Sequence, residues 1–357
     1  MRLRVLDFGT VPALRSQAVY HGLAEAMTPE ADAVLSLVSP ETPYVCVGLH
    51  QDIEKEVDTG FCAANGLPVW RRHVGGGAVY LDRDQLFTHF VFPAGKAPSR
   101  ADQLYPLFIE PVVRTYREMG IAAAYRPIND IQVNGRKIGG TGAASIGGAT
   151  VMVGSFLMDF DTATMAKCLK VPSEKFRDKL RQTLDDYMTT MVKELGRRPD
   201  RDAVKAMFLR HCHDVLGIPV IEDAPTAAEL AAIARAEADL ADPGFIDAQH
   251  RKLVALGVKI SADTHLTEAA RKAPGGLVRV TLLEREGRIA DLVITGDFTC
   301  LPPDGMDRLA ERLKGVALER TALEAAAAQA IAELGLDLPG ITAADLAETL
   351  MMAVHPG

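Results

Sequence analysis

Three consecutive glycines separate two segments that have the residue types of β-strands, 67–72 and 77–81. Because glycine has no Cβ, the run Gly75-Gly76-Gly77 lets the backbone turn sharply and aims successive N–H groups at one point. That concavity suits a phosphate or a carboxylate, and Arg71 or Arg72 would supply the opposite charge. Since side chains alternate along a strand, only one of the two arginines is expected to face the site. The alternative is an ordinary glycine-rich turn with exposed arginines.

A second constraint is the dipeptide Asn134-Gly135 between the strand-like segments 131–133 and 136–138. It predicts a β-hairpin, since these residues adopt the backbone angles that two-residue hairpin turns need. Lys137 follows the turn and precedes a glycine-rich loop at 139–142, so its ammonium would lie beside a backbone that a phosphate can approach. There it could stabilise the charge that develops as a carboxylate joins an α-phosphate. A solvated hairpin lysine is the alternative.

Asp130 is a possible Mg²⁺ ligand, because ATP chemistry usually brings a magnesium held by one or two carboxylates and by phosphates. The alternative is a simple turn residue. Neither glycine-rich stretch is a Walker A loop or a Gly-x-Gly-x-x-Gly dinucleotide motif. Taken alone, each stretch is compatible with anion binding but also with its ordinary structural alternative, and neither matches a P-loop or a Rossmann motif.

The order of strand-like and helix-like segments predicts an α+β protein rather than a doubly wound parallel sheet. The turn Asp242-Pro243-Gly244 is the best candidate for a domain boundary. We expect a catalytic domain at 1–245 and an accessory domain at 246–357. The predicted strands are 3–8, 33–38, 44–49, 86–93, 151–160 and a hairpin of 277–284 with 289–294. The predicted helices are 14–27, 52–65, 102–119 (kinked or broken at Pro106 and Pro111), 226–240 and three that begin near Pro303, Ala322 and Thr342. The region 162–216 is predicted to be helical and charged.

The formal net charge of -8 argues against non-specific binding to nucleic acid or to an anionic membrane. No apolar run is long enough for a signal peptide or a membrane span. The five cysteines include no Cys-x-x-Cys, which is typical of reduced, buried thiols. His211-Cys212-His213 invites a zinc interpretation, but consecutive side chains on a helix point in different directions. We therefore expect a cytoplasmic monomer.

Taken together, the two glycine-rich stretches form a pattern that resembles the motifs of a known protein family. Arg71-Arg72-x-x-Gly75-Gly76-Gly77-Ala78-Val79-Tyr80, followed by Asn129-Asp130-Ile131 and Gly135-Arg136-Lys137-Ile138-x-Gly140, resembles the lipoate–protein ligases. That family shares a superfamily with octanoyltransferases and biotin–protein ligases. The resemblance extends over nearly the whole chain, through 48–52, 56–58 and 154–157, and more weakly through 287–289, 296–298 and the helix that carries Leu309 and Leu313.

The resemblance implies a large catalytic domain of mixed β-sheets flanked by helices, as in biotin and lipoate ligases, and a small α+β accessory domain. It also implies the reaction. The carboxylate of lipoate attacks the α-phosphate of ATP, with Mg²⁺, to give lipoyl-AMP and pyrophosphate. The lysine amine of an acceptor protein, such as a lipoyl domain or a lipoate-binding protein, then attacks the activated carbonyl.

The same resemblance implies roles for individual residues. Lys137 would be catalytic and would bridge the carboxyl of lipoate and the α-phosphate, and Asp130 would lie near the metal. An apolar pocket for lipoate would be lined by Val74, Val153 and Gly154. The binding site for ATP and lipoyl-AMP would comprise Arg72, Gly75, Gly76, Gly77, Ala78, Val79, Tyr80, Asn129, Asp130, Lys137, Gly140 and Thr141.

The sequence departs from the family pattern at three places. Many relatives carry a histidine at the position of Leu81, His-His-Gly at Met152-Val153-Gly154, and a serine at Val74. The pocket is thus expected to be more apolar than usual, and the preference for lipoate or octanoate stays open.

Three alternatives remain open: a biotin–protein ligase, a non-catalytic lipoate-binding protein, and a transferase that takes an octanoyl or lipoyl group from a carrier without ATP. A cysteine-dependent transferase needs a nucleophilic thiol near the lysine. Residues 125–128, before the Asn-Asp strand, offer none, and Cys168 is predicted to lie in a helix.

Overall fold

The structure is a computed structural model that describes residues 1–259 and 264–354. The chain divides into two compact units. One comprises Met1–Cys46, Val57–Trp70 and Val79–Asp242, and the other comprises Val47–Glu56, Arg71–Ala78 and Pro243–Gly357. Residues 260–263 and 355–357, which belong to the predicted accessory domain, lie outside the described residues. The functional division at residue 245 stays a prediction.

The strands follow in chain order. They are β1 (Leu3–Val11), β2 (Ala33–Pro40), β3 (Tyr44–Val47), β4 (Val69–Arg71), β5 (Val79–Leu81), β6 (Gln85–Phe92), β7 (Ala123–Arg126), β8 (Asp130–Val133), β9 (Arg136–Ile146), β10 (Ala149–Leu157), β11 (Val220–Glu222), β12 (His265–Ala273), β13 (Gly276–Arg285) and β14 (Arg288–Gly296).

The helices are given in the same chain order. They are α1 (Ala13–Glu25), α2 (Ile53–Glu56), α3 (Thr59–Ala64), α4 (Ala101–Glu118), α5 (Thr162–Cys168), α6 (Glu174–Tyr187), α7 (Met191–Leu195), α8 (Arg201–Leu216), α9 (Ala227–Leu240), α10 (Pro243–Ile246), α11 (Ala248–Gly257), α12 (Gly305–Leu313), α13 (Arg320–Leu334) and α14 (Ala343–Val354). Among the described residues, none of these helices is both long and apolar enough to cross a membrane.

An eight-stranded mixed sheet forms the first unit, in the order β11-β1-β2-β6-β10-β9-β8-β7. β1 pairs in parallel with β11 and β2, and all the other neighbouring strands of this sheet pair antiparallel. Both faces of β6 are covered: the ring of Phe90 packs against Phe108 of α4, and that of His89 packs against Tyr20 of α1. The predicted α+β class is therefore confirmed.

The Asn134-Gly135 hairpin is confirmed, because Asn134 (φ 50°) and Gly135 (φ 80°) join β8 to β9. The predicted glycine-rich loop at 139–142 is wrong, since these residues lie within β9. Gly139 and Gly140 pair with β8, and Thr141 and Gly142 pair with β10. Pairing with both neighbouring strands outweighs the poor strand propensity of glycine.

Two helix predictions need correction. The predicted helix 52–65 is two short helices, because Val57 between them bridges to Leu169 and the Asp58 side chain caps α3 by accepting from Phe61 N at 2.9 Å. The predicted break at the prolines of 102–119 is wrong, since α4 continues through both. Its amphipathic buried face stabilises the helix in spite of the missing N–H groups.

The second unit contains a three-stranded antiparallel sheet, β12-β13-β14, packed against α12 and α14, and α13 packs on these two helices. The predicted hairpin is confirmed, with Glu286 (φ 52°) and Gly287 (φ 71°) at its turn. The three predicted helices are also confirmed. β12 was not predicted, because it is an edge strand with mostly polar, partly exposed residues.

Segments 47–56 and 71–78 join the second unit through backbone hydrogen bonds. Gly76 N donates to Phe298 O at 3.1 Å, and Gly296 N donates to His50 O at 2.9 Å. The two segments are joined to each other by Leu49 N, which donates to Val74 O at 3.1 Å. The glycine run is therefore built into the packing of this unit.

Candidate functional site

Lys137 and Asp130 form an ion pair in the first unit. The Nζ of Lys137 lies 2.7 Å from Oδ1 of Asp130, and the hydroxyl of Tyr187 donates to Oδ2 of Asp130 at 3.1 Å. Asp130 is opposite Gly140 in the β8–β9 ladder. A Cβ on Gly140 would lie 3.0 Å from Lys137 Nζ, so the missing side chain leaves the space that the ammonium occupies.

Asn129 and Thr141 extend this ladder by three hydrogen bonds. Asn129 Nδ2 donates to Thr141 O at 2.9 Å, and both the N–H and the hydroxyl of Thr141 donate to Asn129 O at 3.0 Å. Asn129 thereby fixes the chain immediately before Asp130. The structure brings four predicted site residues together here with Lys137: Asn129, Asp130, Gly140 and Thr141.

The register of β10 decides which predicted pocket residues share a face. Val153 is opposite Gly142 and His89, whereas Gly154 is opposite Thr141 and Thr88. Directly paired residues point to the same side, and alternate residues along a strand also share a side. Val153 therefore lies on the face of Gly140 and the Lys137 ammonium, and Gly154 belongs to the opposite face.

His89 lies on the same face as Val153. Burial lowers the pKa of this histidine to about 3, so the imidazole is neutral. Its Nδ1 lies 3.0 Å from Ser36 Oγ. His89 was not predicted, although a histidine inside the apolar strand β6 is a signal visible in the sequence. Tyr187 was also missed, because it lies fifty residues beyond Lys137 and no local pattern connects the two.

Tyr80 and Val79 lie in β5, which pairs with β3. Tyr80 is buried, and its ring meets that of Phe160 edge-on at 6.3 Å. Burial and the charges of Asp82 and Asp161 raise the pKa of Tyr80 to about 12. Burial chiefly raises the pKa of Asp82 to about 6.

In the second unit, Arg71 is fully buried and serves the fold. Its guanidinium donates to five backbone carbonyls at 2.7–3.0 Å, and no side chain accepts any of these bonds. The acceptors are the carbonyls of Gly48, Leu49, Gln51, Phe245 and Ile246. Arg71 thus ties residues 48–51 to residues 245 and 246.

Arg72 holds the glycine turn. Its Nη2 donates to Gly75 O at 2.8 Å and to Gly77 O at 2.9 Å. Gly76 has a φ of 92°, which favours glycine, and a Cβ on Gly75 would collide with Phe298 O. Of the other predicted residues, Val74 is buried and Ala78 is half-buried. The turn therefore requires its glycines for backbone reasons.

Among the described residues, no three His, Cys, Asp or Glu side chains converge as a metal cluster. At the sequence His211-Cys212-His213, Cys212 is buried, His211 Nε2 lies 2.8 Å from Glu118 Oε2, and His213 Nδ1 lies 3.0 Å from Ile218 O. Any Mg²⁺ site at Asp130 would thus rest on one protein carboxylate together with the oxygens of a bound phosphate.

Two known protein families match this chain. Residues 12–213 match the family described as "Lipoyl protein ligase A/B catalytic domain". That match covers more than half of the chain. The chain belongs to the lipoyl protein ligase A/B family. Residues 265–350 match a second family, "Bacterial lipoate protein ligase C-terminus".

Three relatives within this lipoyl protein ligase family carry two kinds of name. "Lipoate-protein ligase LplJ" of Bacillus subtilis is 28% identical over 54% of this chain and 58% of its own length. "Lipoate-protein ligase A subunit 1" of Thermoplasma acidophilum is 28% identical over 52% of this chain and 73% of its own. "Octanoyltransferase LipM" of Kyrpidia tusciae is 25% identical over 53% of this chain and 77% of its own length. The chain thus spans less than two-thirds of the Bacillus relative.

Several solved structures share the fold of this chain. A bi-partite lipoate protein ligase from Thermoplasma acidophilum, studied with its E2 lipoyl domain, is 25% identical and has a TM-score of 0.62 over 69% of this chain and 95% of its own. Lipoate-protein ligase A bound with ATP has a TM-score of 0.60 at 22% identity, over 69% of this chain and 99% of its own. LipL1 of P. falciparum in complex with lipoate has a TM-score of 0.67 at 15% identity, over 91% of this chain and 93% of its own.

Proposed function

We propose that this chain is an ATP-dependent lipoate–protein ligase, which activates lipoate as lipoyl-AMP and transfers the lipoyl group to a lysine of an acceptor protein. The observation that carries the proposal is the Lys137–Asp130 pair on the same sheet face as Val153. This arrangement combines a cation, a carboxylate and an apolar side chain, which match the phosphate, the metal and the acyl chain of the reactants.

In the first step, an oxygen of the lipoate carboxylate attacks the α-phosphorus of ATP. The bond from the α-phosphorus to the bridging oxygen breaks, and pyrophosphate leaves. Both reacting groups are anions, so the barrier is largely electrostatic. The Lys137 ammonium lowers it by contacting the carboxylate and the α-phosphate as they combine. The remaining rate acceleration comes from holding the two reactants together, since ATP itself provides the chemical activation of the carboxylate.

In the second step, the acceptor amine attacks the carbonyl carbon of lipoyl-AMP. The bond between that carbon and the phosphate oxygen breaks, AMP leaves, and the amine loses a proton. We propose that Arg72, the turn Gly75–Gly77, Ala78, Val79, Tyr80, Asn129, Gly140 and Thr141 bind the nucleotide. Val74, Val153 and Gly154 are proposed to bind lipoate; for Gly154, which lies on the other face from Val153, only the backbone of β10 could serve.

Magnesium would be held by Asp130. Mg²⁺ typically takes one or two carboxylates, with phosphate oxygens and water as its other ligands, and a single carboxylate at Asp130 fits that requirement. When bound, the ion would neutralise phosphate charge. Asp130 is the counter-ion of Lys137 in the present structure, so its side chain would exchange the ammonium for the metal as ATP binds.

The state of the cysteines favours a ligase over a cysteine-dependent transferase. All five cysteines are buried. Burial raises the pKa of the Cys168 thiol to about 12 and that of Cys300 to about 12, and it raises the pKa values of Cys62 and Cys212 as well. A thiol with a raised pKa holds little thiolate, and thiolate is the nucleophile. ATP is therefore the better source of activation.

The test is pyrophosphate release from purified protein with Mg-ATP and free lipoate. We expect release that depends on lipoate and that falls at least about 100-fold in Lys137→Ala, the usual cost of losing one donor to a developing anion. Lys167→Ala, at an exposed lysine of α5, is the matched control and should keep the wild-type rate. If no acid supports release but octanoyl groups move from a carrier protein to an acceptor, the transferase is correct instead.

A further inference from the structure

Arg126 is an exposed arginine at the end of β7, which is an edge strand of the eight-stranded sheet. It is opposite Asp130 in the β7–β8 ladder. The side chains of directly paired residues point to the same side of a sheet. Arg126 therefore lies on the face that carries Asp130, and the Lys137 ammonium contacts Asp130 on that face.

Two side-chain hydrogen bonds hold the turn between β7 and β8. The hydroxyl of Tyr125 donates to Ile128 O at 2.6 Å, and Nδ2 of Asn129 donates to Thr141 O at 2.9 Å. The backbone on both sides of the turn is therefore fixed. Arg126, next to Tyr125 in β7, is held at a defined position while its guanidinium stays accessible.

The guanidinium of Arg126 is not neutralised within the described part of the chain, where no carboxylate lies within ion-pair distance of it. The opposite carboxylate uses both of its oxygens elsewhere: Oδ1 of Asp130 lies 2.7 Å from Lys137 Nζ, and Oδ2 accepts from the Tyr187 hydroxyl at 3.1 Å. Burial and the charge of Asp130 raise the pKa of Tyr187, and the positive charge of Arg126 opposes this rise. The guanidinium is thus close enough to act on this group.

Three neighbouring strands place two cations on either side of one carboxylate. In the order β9-β8-β7 they carry Lys137, Asp130 and Arg126. Neighbouring strands are about 4.8 Å apart, and the Lys137 ammonium already reaches across to Asp130 on β8. A row of phosphate groups that begins at Lys137 can therefore continue past Asp130 to Arg126. The planar fork of a guanidinium matches two phosphate oxygens at once.

The proposed adenylation step has a requirement that this arginine can meet. Lys137 contacts the carboxylate of lipoate and the α-phosphate, whereas the charge released by the breaking bond accumulates on the departing pyrophosphate. A fixed cation beside that group lowers the barrier, because it is already in position when the charge develops. Arg126 is a cation on the required face, beyond the carboxylate proposed to hold Mg²⁺.

We propose that Arg126 binds the β- and γ-phosphates of ATP and stabilises the pyrophosphate leaving group. This inference rests on the proposed function. The bond from the α-phosphorus to the bridging oxygen breaks, its electron pair stays on that oxygen, and the guanidinium donates hydrogen bonds to the pyrophosphate while it keeps its own protons. Transfer of the lipoyl group does not use this contact, since pyrophosphate has left before the acceptor amine attacks.

The first test measures Arg126→Ala in the two half-reactions separately. In lipoate-dependent ATP–pyrophosphate exchange, the KM for pyrophosphate should rise about tenfold or more, the effect of losing a hydrogen bond between charged groups. Transfer from added lipoyl-AMP to an unlipoylated E2 lipoyl domain should stay within about twofold of the wild type, the usual range for a surface substitution. Arg126→Lys keeps the charge without the fork and should recover part of the loss.

The matched control is Arg235→Ala. Arg235 is an exposed arginine of α9, and it too has no ion-pair partner among residues 1–259 and 264–354. This variant should leave both half-reactions unchanged. An unchanged KM for pyrophosphate in Arg126→Ala would overturn the proposal, and so would an equal loss in both half-reactions, which would indicate a structural role. A rise only in the KM for the lipoyl domain would assign Arg126 to the acceptor and would also overturn it.

The second test needs no turnover. Isothermal titration calorimetry compares the binding of Mg-ATP and of AMP to the wild type and to Arg126→Ala. The variant should bind ATP about tenfold more weakly and AMP as tightly as the wild type, because AMP lacks the two outer phosphates. Equal changes for both nucleotides, or no change for either, would contradict the assignment. Absence of lipoate-dependent exchange in the wild type would instead refute the proposed function, and the two nucleotides would still test Arg126.

Discussion

The Nζ of Lys137 lies 2.7 Å from Oδ1 of Asp130, and both side chains are partly accessible, at 29% and 18% exposure. An ammonium that already has a carboxylate partner is held in one place before any reactant arrives. In the proposed reaction, an incoming carboxylate or phosphate would replace one anion by another at the same position. This exchange would require little rearrangement of the site, which is the condition for effective electrostatic catalysis.

The first prediction concerns the residues that hold Lys137. Asp130→Asn should lower kcat/KM for lipoate adenylation about 10–100-fold, since a hydrogen bond to a charged group contributes about 1.5–3 kcal/mol. Tyr187→Phe leaves the charge of Asp130 in place and removes a group that does not contact Lys137, so it should cost about fivefold or less in adenylation. ATP–pyrophosphate exchange measures both. Equal losses in the two variants would show that Asp130 does not act through its charge.

The second prediction separates two adjacent glycines. A Cβ on Gly75 would overlap Phe298 O, whereas a Cβ on Gly77 would meet nothing closer than 3.8 Å, at Asp297 Cβ. Gly75→Ala should therefore lower the thermal midpoint of unfolding by several degrees, and Gly77→Ala should leave it unchanged. Differential scanning calorimetry provides the comparison. A normal midpoint for Gly75→Ala would mean that the contact with Phe298 is dispensable.

Local sequence predicted those parts of the site whose geometry is set by neighbouring residues. Asn134-Gly135 fixes the turn that precedes Lys137, because its residues adopt positive φ. Alternation predicted that Arg71 and Arg72 point in different directions, and the two side chains do have different hydrogen-bond partners; that Arg72 faces a bound anion stays a prediction. Which arginine would be structural did not follow from the pattern. The five carbonyls around Arg71 come from segments as far away as residues 245 and 246.

Long-range pairing explains what the sequence did not predict. The glycines after Lys137 suggest a loop by composition, but β8 and β10 on either side make them a strand. The register that divides Val153 from Gly154 depends on which strands meet, and no single stretch of sequence encodes that choice. Tyr187 reaches Asp130 only because α6 ends there.

The third prediction concerns Arg71. Substituting it by methionine keeps much of the side-chain length but leaves five carbonyls, all of buried or half-buried residues, without their donor. Unsatisfied buried groups cost about 1–3 kcal/mol each, and partial relaxation should leave a loss of at least about 3 kcal/mol. Arg71→Lys, with one ammonium for five acceptors, should recover only part of it. Urea unfolding of the wild type and both variants measures this, and a methionine variant as stable as the wild type would contradict the structural role.

The fourth prediction is a pH dependence that originates at Asp82. Burial chiefly raises the pKa of this carboxyl to about 6 in the folded chain, from an unfolded value near 3.8. Between these values the folded state binds more protons than the unfolded state, so Asp82 makes stability fall as pH rises from about 4 to about 6. Above pH 6 the full cost of the buried charge is present.

Asp82→Asn removes that cost and can keep the side-chain oxygen that accepts from Asp84 N at 2.9 Å. At pH 7.5 the variant should be more stable than the wild type by about 1 kcal/mol, a value discounted because the carboxyl is partly solvated. The advantage should disappear near pH 4, where the wild-type carboxyl is protonated in the folded state. Urea unfolding of both proteins at pH 4, 5, 6 and 7.5 tests this. A stability difference that stays constant over that range would show that Asp82 titrates normally.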